Sequence, residues 1–176
     1  MGLLPPLASA SSGEQGPGTM ELRQLGRDEL DVRRLESNSD SAPPESEIML
    51  RGTPTGRTVS GAVLEAAVAA DQNYVVFMTD NTPFEDVLTI EYLNKNLGLI
   101  DRLRIGWVYS TGAFSDLRLQ EPNRLCFGFM GDTVWVLELL AKKELCLPLL
   151  SNPRGVWHRF SFSRHMKLMG KPRPDV

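Results

Sequence analysis

The chain has 176 residues, 41% of them hydrophobic, and a formal charge of −3, which suits one core of ordinary size with tails and leaves no room for a second full domain. So small a net charge excludes a long-range electrostatic argument for nucleic acid or a membrane surface. No apolar run approaches the roughly 18 to 20 residues that cross a bilayer as a helix, so the expectation is a soluble, cytoplasmic protein without a membrane span.

Charge is distributed unevenly. Lys and Arg against Asp and Glu number 4 to 9 over residues 1–50, 9 to 12 over 51–150 and 6 to 1 over 151–176. An acidic head therefore precedes a basic end, as solvated tails or as two partner-facing patches of opposite sign.

Residues 1–19 are rich in Ser, Gly and Pro and cannot bury enough apolar surface to offset the entropy of ordering. The Leu-rich start lacks the positive region of a signal peptide, and Pro5 and Pro6 interrupt its short apolar stretch. From Met20 to Glu36, Leu22, Leu25, Val32 and Leu35 recur at spacings of three and seven, which suits a helix over 20–36, with Glu29 breaking the stripe. Pro43, Pro44 and the Gly52-Thr-Pro-Thr-Gly56 stretch read as linker, so residues 1–56 are expected to be a flexible N-terminal segment. Deleting residues 1–50 should then cost little stability.

The segment 57–166 reads as an all-β domain. β-branched and aromatic residues recur in short runs between turn residues, with strands expected near 59–68, 73–79, 86–94, 98–107, 112–119, 124–130, 133–141 and 155–163. The Ala-rich part of the first run also suits a helical turn or two. Around Gly131-Asp132, Leu125, Phe127 and Phe129 on one side and Trp135, Leu137 and Leu139 on the other alternate with more polar or smaller residues, the pattern of a hairpin with one buried face. Turns this short cannot hold parallel crossovers, so the expected architecture is an antiparallel meander of about eight short strands, closed as a sandwich or an up-and-down barrel. Residues 167–176, with two prolines, read as a flexible C-terminal tail.

Few residues suggest chemistry. The loop Thr79-Asp80-Asn81-Thr82-Pro83-Phe84-Glu85-Asp86 gathers three carboxylates, which can divide acid and base roles if their environments separate their pKa values. It is equally a turn in which Asp80 and Asn81 bond nearby backbone. As a calcium loop it fails, because Phe84 stands at a ligand position. His158 and His165 are seven apart with no Cys neighbours, and Cys126 and Cys146 read as small buried hydrophobes, so no metal, cofactor or catalytic residue is assigned. Gly52 to Thr58 resembles a phosphate-binding loop only superficially, with Arg57 where Lys belongs.

Trp107 and Tyr109 fall on a loop between strands, which makes them the first candidate binding residues, together with Asp80, Glu85 and Asp86. Near the C-terminus, Arg154, Arg159 and Arg164 interleave with Trp157, Phe160 and Phe162, a recipe for single-stranded nucleic acid; the same alternation is that of an ordinary half-buried strand, so nucleic acid is not the expected partner. The expected function is a non-catalytic binding module acting on another protein. The alternatives are a barrel that holds a small apolar ligand and a hydrolase using the 80–86 carboxylates.

Overall fold

The computed structural model describes residues 19–36, 42–82, 87–106, 112–130, 133–145, 155–158 and 163–170. They form thirteen antiparallel strands in three sheets and no helix. In chain order these are β1 (Leu22–Leu25), β2 (Leu30–Arg34), β3 (Glu45–Leu50), β4 (Thr53–Ser60), β5 (Val63–Ala70), β6 (Asn73–Thr79), β7 (Leu88–Leu93), β8 (Leu99–Ile105), β9 (Ser115–Gln120), β10 (Arg124–Gly128), β11 (Val134–Leu145), β12 (Val156–His158) and β13 (Ser163–Met169).

Three open layers result rather than a closed barrel. The central sheet has six strands in the order β1-β5-β6-β7-β8-β12, a second has the order β13-β11-β10-β9, and a third is β2-β3-β4. One face of the central sheet, with Val68, Phe77, Ile90 and Leu103, packs against Leu125, Phe127, Trp135, Leu137 and Leu168 of the four-stranded sheet. Its opposite face, with Leu64, Ala67, Val76 and Met78, packs against Leu30, Ile48 and Val59 of the three-stranded sheet. A strand covered on both sides cannot alternate apolar with polar, and every residue of β7 is buried.

The inward alternation expected around residues 131–132 is the one observed, with Leu125 opposite Leu137 and Phe127 opposite Trp135. The turn residues Gly131 and Asp132 lie outside the described residues. Between the layers, Phe77 meets Phe127 edge-on with ring centroids 5.3 Å apart, and Phe114 stacks on Phe127 at 5.7 Å. The indole N–H of Trp135 donates to the Phe129 carbonyl at 2.5 Å, so the largest core side chain is anchored as well as packed.

Three expectations need correction. No helix covers 20–36: Leu22–Leu25 pairs with β5, and Leu30–Arg34 pairs with β3. The apolar residues recur at helical spacing because a turn separates two strands, with the amides of Glu29 and Leu30 bonded to the Gly26 carbonyl. Glu29 breaks the stripe because it reaches back to hold the Arg23 guanidinium at 2.8 and 2.9 Å. The strands thus begin at Leu22 rather than near residue 57, and Leu30 and Ile48 are core residues. The Ala-rich run is strand, as expected, and not the helical turn it also suits, pairing with β6 from Val63 to Ala70. Finally, the expected last strand is two strands in different sheets: β12 joins the central sheet, whereas β13 joins the four-stranded one and carries order through Met169, with Met166 and Leu168 buried.

Candidate functional site

Two surfaces carry polar or apolar groups in unusual places. The first lies on the central sheet beyond the edge of the three-stranded cover. Across one row, Leu64, Met78, Thr89, Arg104 and Trp157 are successive cross-strand partners; across the next, Val76, Glu91 and Arg102 are. Partners in register point to the same face, so in these two rows the face is apolar over β5 and β6 and polar over β7 and β8, whereas Leu93 and Leu99 at the other end of β7 and β8 belong to the apolar cluster under the cover.

A cleft of ≈ 440 Å³ opens there, bounded by Glu36, Glu45 and Ser60 on one side and by Asp80, Arg102 and Arg104 on the other. Glu91 is 1% exposed; its Oε1 accepts the Ser60 amide at 3.1 Å and lies 2.7 Å from Arg102 Nη2. Burial pushes the Glu91 carboxyl above the usual carboxylate range, against the opposing pull of the Ser60 amide and Arg102. Arg104 Nη2 stands 3.6 Å from Asp80 Oδ2. The Thr89 hydroxyl is buried with no hydrogen-bond partner among the described residues.

Asp80 therefore lies in a cleft, as a functional reading of its loop requires, but it faces an arginine of the sheet behind it. Its expected companions Glu85 and Asp86, and the aromatic candidates Trp107 and Tyr109, lie outside the described residues, as do Cys146, Arg154, Arg159, Phe160 and Phe162. Of the C-terminal cation and aromatic series, Trp157 is 56% exposed on β12, beside Arg104. Glu91, Arg102 and Arg104 escaped the sequence reading. The alternation of Arg102 and Arg104 with Leu103 and Ile105 marks a half-buried strand, but nothing local ties it to a carboxylate on the preceding strand.

The second surface is the outer face of the four-stranded sheet. The inward set of β10, β11 and β13 is Leu125, Phe127, Trp135, Leu137, Leu139, Met166 and Leu168. The alternate positions point away from the core, and the register joins them into rows. Arg118, Cys126, Val136 and Met169 form one; Gln120, Arg124, Glu138 and Lys167 form the next. Val134, 66% exposed, extends the apolar patch toward Gly128.

Cys126, expected to be buried, is half-buried on this outer face, with its thiol 3.5 Å from the side-chain Oε1 of Gln120. A solvated sheet face is normally polar, so three apolar side chains in one cross-strand row, with a fourth beside them, are a departure. Among the described residues, no group of His, Cys, Asp and Glu is placed to hold a metal ion. No protein-family model, curated protein or solved structure matches this chain.

Proposed function

We propose that this protein is a non-catalytic binding module that engages another protein through the outer face of its four-stranded sheet. The observation that carries this reading is the apolar row Cys126, Val136 and Met169 with Val134 beside it, on a sheet face that no other layer covers among the described residues. Burying such a patch against a partner is favourable by about 25 cal/mol per Å² of apolar surface removed from water.

The cleft on the central sheet suits this role less. Its arginines face carboxylates of the same fold, Arg102 with Glu91 and Arg104 with Asp80, and a new partner would have to displace those pairs. We read the Glu91 pair as a tie that seats the three-stranded cover through Ser60.

The test is site-specific photocrosslinking in cells. A crosslinking residue at position 134 should capture a discrete protein partner, while the same residue at Arg57, exposed on β4, should not. Equal capture at both positions, or none at 134, rejects the reading.

A further inference from the structure

The charges that border the apolar row specify the kind of partner. Arg118 stands at one end of that row, and Arg124, Glu138 and Lys167 form the row beside it. Glu138 is the one carboxylate in these two rows, and its contact with Arg124 is loose at 3.8 Å. Neither Arg118 nor Lys167 has an ion pair among the described residues. Three cations against one carboxylate leave the rim of the patch positive, whereas the cleft's arginines are offset by carboxylates of their own fold.

The direction of the apolar row matters too. It runs across the strands, so its side chains step by the interstrand spacing of about 4.8 Å. Apolar side chains on one helix face, at i, i+3 and i+4, step by a similar 5–6 Å. A helix laid across the strands would place one stripe over Cys126, Val136 and Met169, one of its ends over Arg118, and one of its flanks over the row of Arg124 and Lys167.

Resting on the protein-binding reading above, we infer that the outer face docks an acidic amphipathic helix of a partner protein, with apolar side chains on the Cys126–Val136–Met169 row and carboxylates over Arg118, Arg124 and Lys167. The apolar row supplies affinity, and the cations supply orientation and discrimination against basic segments.

The experiment is selection of a random peptide display library on the full-length protein, with two variants carried in parallel. Val134→Ser/Met169→Gln removes apolar contact without changing charge, and Arg118→Glu/Lys167→Glu reverses the rim. Circular dichroism and the unfolding midpoint of each variant establish that it is folded.

Peptides enriched on the parent should combine apolar residues at i, i+3 and i+4 with Asp and Glu. They should bind the apolar variant at least about tenfold more weakly, and the rim variant should select Lys and Arg instead. Enriched peptides that depend on Val134 and Met169 but carry no acidic bias, or keep it on the rim variant, overturn this inference and leave the protein-binding reading intact. Failure to enrich any peptide that depends on Val134 and Met169 overturns the helix assignment, and photocrosslinking at position 134 then decides separately whether the face binds a protein. Binding of the parent to phosphatidylserine vesicles, lost in both variants and without peptide enrichment, assigns the face to a lipid surface and overturns the inference as well.

Discussion

Asp101 Oδ2 accepts a hydrogen bond from the main-chain amide of His165 at 2.7 Å, and so joins the central sheet to the four-stranded sheet. The same oxygen accepts the amide of Met166 at 3.1 Å. One buried carboxylate thus satisfies two backbone donors that β13 would otherwise turn toward the other layer.

Removing that acceptor should cost more than an ordinary hydrogen bond. Asp101→Ala leaves two amides at the interface unpaired, and we expect a loss of about 2–4 kcal/mol, read as a lower urea midpoint with unchanged slope. Asp101→Asn, which keeps one acceptor oxygen, should lose less. Equal losses in the two variants would mean that charge, and not the amide pairing, is what matters at this position.

Glu91 gives a pH signature with a definite sign. Burial raises its folded-state value above the ordinary one, so folding favours its protonated form. Its contribution to stability is fully present below the ordinary value of 4.5 and is lost as pH rises through the raised folded value. Glu91→Gln keeps an acceptor for the Ser60 amide but has no charge to bury. The stability of the variant relative to the parent should therefore increase as pH rises from 4.5 toward neutrality, measured by urea unfolding at constant ionic strength. A difference that falls over that window would show that Arg102 more than offsets the burial.

The N-terminal strands belong to the fold, which reverses the stability expected on truncation. Deleting residues 1–50 removes β1, β2 and β3, strips Leu30 and Ile48 from the core and uncovers one face of the central sheet. Loss of a cooperative calorimetric transition is expected. As a milder probe, Leu30→Ala should cost about 2–5 kcal/mol, the range for a truncated, fully packed Leu.

Trp135 separates packing from anchoring. Trp135→Ala should cost about 3–5 kcal/mol. Trp135→Phe retains most of the buried ring but leaves the Phe129 carbonyl without its indole donor, which predicts a smaller loss of about 1–2 kcal/mol. Denaturant titrations of the two variants check the order. Val134→Ser, by contrast, should shift stability by no more than about 0.5 kcal/mol because the side chain is mostly exposed.

How much of this was readable beforehand depended on whether a signal was local. The hairpin of β10 and β11 showed in its alternation, because one face of each strand is buried and the other is not. β6 matched its expected span for a similar reason: a β-branched and aromatic run between turns has few other solutions. The region from Leu22 to Arg34 misled because two strands and a tight turn reproduce helical spacing by chance. Gly26 in the middle of the supposed helix was the available warning.

The binding face was hidden for a different reason. Cys126, Val136 and Met169 occupy the outward phase of their own strands and become a row only through register, which is a property of three segments at once. The same holds for the Glu91–Arg102 pair, whose members lie on neighbouring strands opposite each other.

The strand order also constrains how the chain acquires its fold during synthesis. Leu22–Leu25 emerges early, yet its partners are Ala67–Ala70, and the whole β2–β4 sheet must be made in between. At the other end, β8 receives its last neighbour only when Val156–His158 has been translated, and the Asp101 tie waits for His165 and Met166. The central sheet therefore spends most of translation with one edge or one face open, and such unpaired edges are where nascent chains associate with one another. A ribosome-bound chain arrested before residue 156 should for that reason engage chaperones far longer than one arrested after Met169.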